Sequence, residues 1–262
     1  MELASKYTLV AIQAALKAGN VLISGYDSNF SISEKEGHHN LVTEYDLKSE
    51  KTIISTIRHN FPDHEILSEE CGILRDKKSP FQWIIDPLDG TVNFAHSIPI
   101  FAISIALAIE GEVICGVIYH PITKEMFIAQ KNEGIFLNGN PISVTDTTNL
   151  VSSFLATGFP YNRKENPHNC IGNFTKALKK GIPIRRLGVA SLDLAYVAAG
   201  RFDGYWEVGL KPWDCAAGIL MVEEAKGKVS QWDGNPYNIF SNETILTSNS
   251  HIHKELQDML AE

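Results

Sequence analysis

The sequence predicts mixed sheets layered with helices, an α+β or α/β architecture. Three observations carry this. Helical periodicity marks the first 60 residues, long β-like runs fill Ile100 to Leu137, and strands alternate with helices from about residue 150. The 262 residues suit one large domain or two closely packed halves, and 44% hydrophobic content supplies a sizeable core. A single domain over 1–262 is expected, with at most a subdomain join near 145–150.

Leu3, Tyr7, Val10, Ala14 and Ala18 recur at helical spacing, so a first helix is expected from residue 2 to about 24. The polar stretch 27–40 reads as an irregular or hairpin segment. A second helix is expected from Asp46 to about His59, with Asp46 as N-cap and Leu47, Ile53, Ile54 and Ile57 on its apolar side. "HEILSEE" and "QWIIDP" read as short buried strands, the second ended by Pro87. "FAISIALAIEGEVICGVIYHP", "EMFIAQKNEG" and "GIFLNGN" form a meander, turning at Glu110–Glu112 and Pro121–Lys124. Then "SSFLAT" reads as strand, 168–180 as helix, "PIRRLG" as strand and "SLDLAYVAAG" as helix closed by Gly200. "DGYWEV" is strand, "PWDCAAGILMVEEAKG" is helix with Pro212 in its first turn, and a last helix starts near Ser250.

The net charge of −8, from 23 basic and 31 acidic residues, argues against a general nucleic-acid or membrane-surface binder. An acidic protein still binds an anionic substrate where cations reverse the local sign. The N-terminus lacks the pattern of a signal peptide, and no apolar run is read as a membrane span. Cys71, Cys115, Cys170 and Cys215 form no CxxC pair, so reduced thiols and a cytoplasmic location are expected. His38, His39, His59 and His64, and the pair His251 and His253, read as surface residues.

Four acidic clusters each end an apolar element: Asp46 in "LVTEYD", Glu69 and Glu70 in "ILSEE", Asp86 and Asp89 in "IIDPLDG", and Asp214 in "KPWD". A carboxylate at a buried strand end is costly unless neutralised. Hard divalent cations do this with oxygen ligands, and Mg²⁺ favours carboxylates, water and phosphate. Pro87 and Gly90 let Asp86 and Asp89 converge, with the Leu88 carbonyl as a further oxygen. "GTVNF" then offers Thr91 and backbone amides to a phosphate. Taken singly, "DPLDG" is an ordinary turn, "SEE" a solvated loop and Asp214 an acid at a helix start. Their order and company change that reading.

"WIIDPLDGTVNF" and "KPWDCAAGILMVEEAKG", with "LVTEYD" and "ILSEE" upstream, resemble the signatures of the inositol monophosphatase family, Mg²⁺-dependent and lithium-sensitive phosphatases. The likeness runs from the first helix to about residue 250. It implies an α+β fold, a layered α/β/α/β/α sandwich of mixed and antiparallel sheets like that of fructose-1,6-bisphosphatase, usually a homodimer. It implies two to three Mg²⁺ per site. Glu69, Asp86, the Leu88 carbonyl and Thr91 would hold the first; Asp86, Asp89 and Asp214 the second; Glu69 with water a weaker third. Asp46 and Thr91 would orient the attacking water, which the cations activate, and Gly90 and Thr91 would hold the phosphate. Lys35, Gly188, Ala190, Glu207 and Asp214 would line the substrate side, and Asp193 matches a substrate-contacting position that equally suits a helix brace.

One departure is Val189, where relatives often carry Ser or Thr beside the substrate, so recognition of the ring loses a hydroxyl. The expected substrate is inositol-1-phosphate or a similar small polyol or sugar phosphate. Histidinol phosphate and fructose 1,6-bisphosphate are the nearest rivals. Bisphosphonucleotide phosphatases usually carry "GTKEF" in place of "GTVNF" and rank lower. Some bacterial relatives also serve as RNA-polymerase or ribosomal-RNA-processing partners, a role that the acidic charge does not support.

Overall fold

A computed structural model of the chain describes residues 5–28, 30–34, 41–74, 78–241 and 243–261. Helix α1 (Lys6–Gly25) is capped by Ser5, whose hydroxyl accepts from the Thr8 amide at 3.2 Å. By length and composition α1 is apolar enough to cross a membrane, against the expectation that no run was. Its apolar face (Val10, Ala14, Ala18, Leu22) is instead buried in the core, and a core helix meets the same criterion.

β1 (Ile32–Glu34) and β2 (Leu41–Thr43) pair antiparallel as a hairpin. Helix α2 (Glu44–Asn60) starts earlier than its periodicity suggests. Thr43 is its N-cap, and Asp46 is not: Asp46 is the third residue of a capping box and accepts from the Thr43 amide at 2.8 Å. β3 (Glu65–Ser68), β4 (Gly72–Leu74) and β5 (Phe81–Asp89) follow, and β4 has no sequence signal of its own. Pro87 does not end its strand. β5 pairs with β6 (Ala102–Ile109) again at Asp89, with a register shift between Asp86 and Asp89. Proline has no amide hydrogen for the ladder, so the strand bulges past it. Between them lies the short helix α3 (Thr91–Ala95).

β7 (Glu112–His120), β8 (Glu125–Gln130), β9 (Gly134–Leu137) and β10 (Asn140–Pro141) complete the meander. The resulting eight-stranded sheet has the order β10-β9-β8-β7-β6-β5-β3-β4, with β3 and β5 its parallel pair. The second half contributes β11 (Leu155–Thr157), α4 (Cys170–Lys179), β12 (Ile184–Arg185), α5 (Ala190–Ala198) and β13 (Gly204–Val208). It ends with α6 (Pro212–Glu224), β14 (Lys228–Ser230), β15 (Thr244–Ser248) and α7 (His253–Ala261). Its five strands run β12-β11-β13-β15-β14.

Strand periodicity builds the layers. Trp83, Ile85, Ile103, Ile105 and Leu107 face α1 and α2, while Ile84, Ala102, Ala106 and Ala108 face α5 and α6. Small residues let α6 sit close on the sheet: a Cβ on Gly116 would stand 3.0 Å from the Ala217 Cα. The five-stranded sheet packs on the far side of α5 and α6, and α4 and α7 close the outside over Leu155, Trp206 and Leu246. The order is α/β/α/β/α, as the resemblance implied.

One histidine read as surface is buried, and another is half-buried. His253 is buried at the start of α7, with its ring nitrogens 2.8 and 2.9 Å from the hydroxyls of Ser230 and Ser248. His64 accepts the Trp83 indole N–H at 3.1 Å and stacks on Phe61 and Phe81. Both sites satisfy polar atoms inside packed apolar surroundings. His59 and His251 are exposed, and His38 and His39 lie outside the described residues.

Candidate active site

The bulge of β5 places two aspartates on different tasks. Asp86 is 2% exposed and accepts from the Leu88 amide at 3.0 Å. Gly90 then turns the chain with φ +93, where a Cβ would lie 2.8 Å from a Val189 methyl. Asp89 reaches across the molecule to the start of α5, where its Oδ2 accepts from the Ser191 amide at 2.7 Å and hydroxyl at 2.6 Å. A carboxylate from the first half thus caps a helix of the second.

Asp46 is fully buried on α2 and accepts from the Thr91 hydroxyl at 2.9 Å; that hydroxyl also lies 3.1 Å from the Leu88 carbonyl. Glu69 follows β3, its amide continuing the parallel ladder to the Ile85 carbonyl at 3.2 Å. Asp214 stands in the first turn of α6 and accepts from the Lys211 amide at 2.7 Å, with Pro212 opening the helix. Glu207 projects from β13 and accepts from the Tyr205 hydroxyl.

These groups meet at a cleft of about 590 Å³, a size suited to a small ligand. Glu69, Asp86, Leu88, Asp89, Gly90, Thr91, Gly188, Ala190, Glu207 and Asp214 all line it. Asp46 lies behind Thr91 and reaches the cleft through it. Lys35 lies outside the described residues. Asp193 is buried in the first turn of α5 and does not line the cleft; among the described residues its Oδ1 has no hydrogen-bond partner. Val189 is buried as well and turns its side chain to Gly90, away from the cleft.

The cleft has residues that the sequence did not single out. Arg163, Arg186 and Lys211 add positive charge to its lining. Asn93 donates to the carbonyls of Ile100 at 2.8 Å and Leu187 at 2.9 Å, tying the Gly90 turn to the segment before α5. Neither Asn93 nor Ser191 gave a sequence signal, because their partners Leu187 and Asp89 lie 94 and 102 residues away.

Burial pushes the carboxyls of Asp86 and Asp214 well above the usual range, and neighbouring acids push them further. Asp89 rises to about 6, chiefly by burial against the opposing Ser191 hydrogen bonds. Glu207 rises to about 7, again chiefly by burial. Asp46 is raised by burial, with the Thr43 and Thr91 hydrogen bonds pulling the other way.

Asp86, Asp89 and Asp214 have no ion-pair partner among the described residues. Carboxylates crowded in this way, Asp86 buried and Asp89 and Asp214 partly so, fit a divalent cation, which would neutralise them and prefers such oxygen donors. Among the described residues no three His, Cys, Asp or Glu side chains are already gathered as a metal cage.

A family model described as the inositol monophosphatase family matches residues 3–262. An inositol-1-monophosphatase of Synechocystis sp. is 44% identical over 96% of this chain and 88% of its own length. The Nus factor SuhB of Escherichia coli is 41% identical over 94% of this chain and 92% of its own. The crystal structure of the extragenic suppressor protein suhB from Bartonella henselae superposes with a TM-score of 0.94 at 40% identity, covering 98% of this chain and 99% of that one. In sequence, layer order and full-length match to its relatives, the chain belongs to the inositol monophosphatase family.

Proposed function

We propose that the protein is a Mg²⁺-dependent phosphomonoesterase acting on inositol-1-phosphate or a similar small polyol or sugar phosphate. One observation supports this above others: three aspartates without basic partners among the described residues, Asp86 buried and Asp89 and Asp214 partly buried, surround one cleft beside the Thr91–Asp46 pair. Glu69, Asp86, the Leu88 carbonyl and Thr91 form the first proposed cation site. Asp86, Asp89 and Asp214 form the second, and Glu69 with water a third. Bound there, the cations would supply an activated water and neutralise charge on the phosphate and leaving oxygen.

The chain's own residues orient the reaction. Thr91 gives its hydroxyl proton to Asp46, which leaves its lone pairs to accept from the attacking water. The amides of Gly90 and Thr91 hold phosphate oxygens. Tyr205 occupies one oxygen of Glu207, leaving the other to accept from a substrate hydroxyl. Gly188 and Ala190 form part of the cleft wall. Lys35 is assigned to the site by resemblance alone. The family's habit also makes a homodimer our proposal, which light scattering checks.

The deciding experiment is a panel of inositol-1-phosphate, histidinol phosphate, fructose 1,6-bisphosphate and glycerol-2-phosphate, with released phosphate measured with and without Mg²⁺ and Li⁺. Mg²⁺-dependent, Li⁺-inhibited turnover with inositol-1-phosphate preferred is expected. Preference for histidinol phosphate overturns the substrate; no release from any ester overturns the reaction. The name of the E. coli relative offers a second reading, a role as a transcription partner. If Asp89→Asn abolished phosphate release while a knockout phenotype was still complemented, that reading would gain.

A further inference from the structure

We propose that Ser49 and Glu50 are positioning residues: one turn of α2 holds the Glu69 loop and the Asp86–Asp89 turn in register with Asp46. Positions 46, 49 and 50 stand at i, i+3 and i+4, so the three side chains share one helix face. Asp46 and Ser49 are fully buried and Glu50 is 6% exposed. Each makes a bond to a different segment of the cleft.

The Ser49 hydroxyl donates to the Pro87 carbonyl at 2.7 Å. That carbonyl sits within the register shift of β5, where the strand ladder is interrupted. A buried carbonyl without a ladder partner needs an outside donor, and Ser49 is that donor. The bond fixes the Pro87–Leu88 peptide, whose amide hydrogen is given to Asp86, and so the direction in which Asp86 and Leu88 present their oxygens.

Glu50 acts on the neighbouring segment. Its Oε1 accepts from the amides of Glu70 at 3.2 Å and Cys71 at 3.1 Å. These amides lie in the turn between β3 and β4, just after Glu69. Two bonds to one carboxylate oxygen pin the turn to α2 and set where Glu69 enters the cleft. α2 is itself held to the sheet by Ile53 and Ile57, both fully buried. Asp46, Glu69 and the Asp86–Asp89 pair come from separate elements, yet all are referenced to one rigid helical turn.

A purely structural role would also place these hydrogen bonds in the core, so the test must separate position from stability. It rests on the metal-dependent reading above. Mn²⁺ binding to the purified full chain is measured by calorimetry, beside thermal melting and Mg²⁺-dependent phosphate release. Ser49→Ala and Glu50→Ala are expected to raise the Mn²⁺ Kd about tenfold or more, the usual scale for groups that orient metal ligands. Glu50→Gln, which keeps an acceptor oxygen, is expected to return close to the parent Kd. Ile57→Val is the control: it loosens the core face of the same helix and should lower the melting temperature without moving the Kd.

Unchanged Mn²⁺ affinity in Ser49→Ala and Glu50→Ala would overturn the proposal, as would an equal shift in Ile57→Val. A parent protein that binds no Mn²⁺ would remove the metal reading and this proposal together. A parent that binds Mn²⁺ and releases phosphate, with variants of equal affinity, removes the positioning role alone.

Discussion

Thr91 and Asp46, 45 residues apart, meet through a hydrogen bond of 2.9 Å, while the second oxygen of Asp46 is held by the amide and hydroxyl of Thr43 at 2.8 and 2.6 Å. The carboxylate that closes the capping box of α2 is therefore the one that fixes the Thr91 hydroxyl. Neither oxygen can swing toward the cleft without losing a partner, so the pair is set before any substrate arrives.

Thr91→Val keeps the shape of the side chain and removes the hydroxyl. On the proposed mechanism kcat falls on the order of 10²-fold or more, the scale of a lost proton-handling group. Stability should change by only about 1 kcal/mol, the net worth of one hydrogen bond. Initial rates at saturating substrate and Mg²⁺, with a thermal melt, check both. A kcat within threefold of the parent would remove Thr91 from the reaction.

The crowded acids make the metal-free protein sensitive to pH. Asp86, Asp89, Asp214 and Glu207 all have folded values above their ordinary ones, chiefly through burial, with Asp89 at about 6 and Glu207 at about 7. The folded chain thus binds more protons than the unfolded chain above pH ~4. Their stabilising effect is complete below that value and is lost as pH rises through about 6 and 7. Metal-free stability should fall between pH 5 and pH 8, by up to ~1.4 kcal/mol per pH unit for each proton bound, and the melting temperature should fall with it. Saturating Mg²⁺ should flatten the profile. A metal-free melt that rose over this range would contradict the burial of uncompensated charge.

Asp86→Asn and Asp214→Asn follow from the same electrostatics. Each removes one buried charge from the cluster while keeping the side-chain shape. Both are expected to abolish Mg²⁺-dependent turnover and to raise the metal-free melting temperature at pH 8. Phosphate release under saturating Mg²⁺ and metal-free calorimetry read the two effects separately. Full activity in either variant would sink its assignment as a ligand.

What the sequence disclosed follows a physical division. α2 and the meander were legible because their patterns are local: one apolar side every 3.6 residues, or alternation broken by turns at 110–111 and 121–124. β15 was silent, since "TILTS" is buried on both faces and carries no alternation, and β14 spans three residues. The acids of the cleft were legible because a charge at the end of an apolar run asks for a reason. Ser191 and Asn93 were not, because each acts on a segment about 100 residues away and neither is unusual where it stands. The N-cap of α2, Thr43, was misplaced by three residues for a related reason: Asp46, the acid of its capping box, also serves the site.

Gly158 is constrained by Glu207. A Cβ at this position, just after β11, would stand within the Glu207 carboxyl group. Gly158→Ala should displace that carboxyl and weaken its hold on a substrate hydroxyl. A hydrogen bond to a charged group is worth about 1.5–3 kcal/mol, so KM for inositol-1-phosphate should rise about tenfold or more. Mn²⁺ affinity should not move, because Glu207 is outside the proposed ligand set. A shift in metal affinity with KM unchanged would place Glu207 on the metal side instead.

Val189 looked like a loss of substrate recognition, but its side chain is fully buried, packs on the Gly90 turn and does not line the cleft. It is also the N-cap of α5, where no side-chain cap bond is made. Val189→Thr keeps the branched shape and adds a hydroxyl beside the first-turn amides. A cap is worth about 0.5–2 kcal/mol, so the melting temperature should rise by a few degrees. The ratio of kcat/KM for inositol-1-phosphate over glycerol-2-phosphate should stay within about twofold, as for a substitution that touches no ligand. A tenfold gain in that ratio would return position 189 to the substrate. An unchanged ratio leaves discrimination to groups that do line the cleft, among them Glu207 and Arg186.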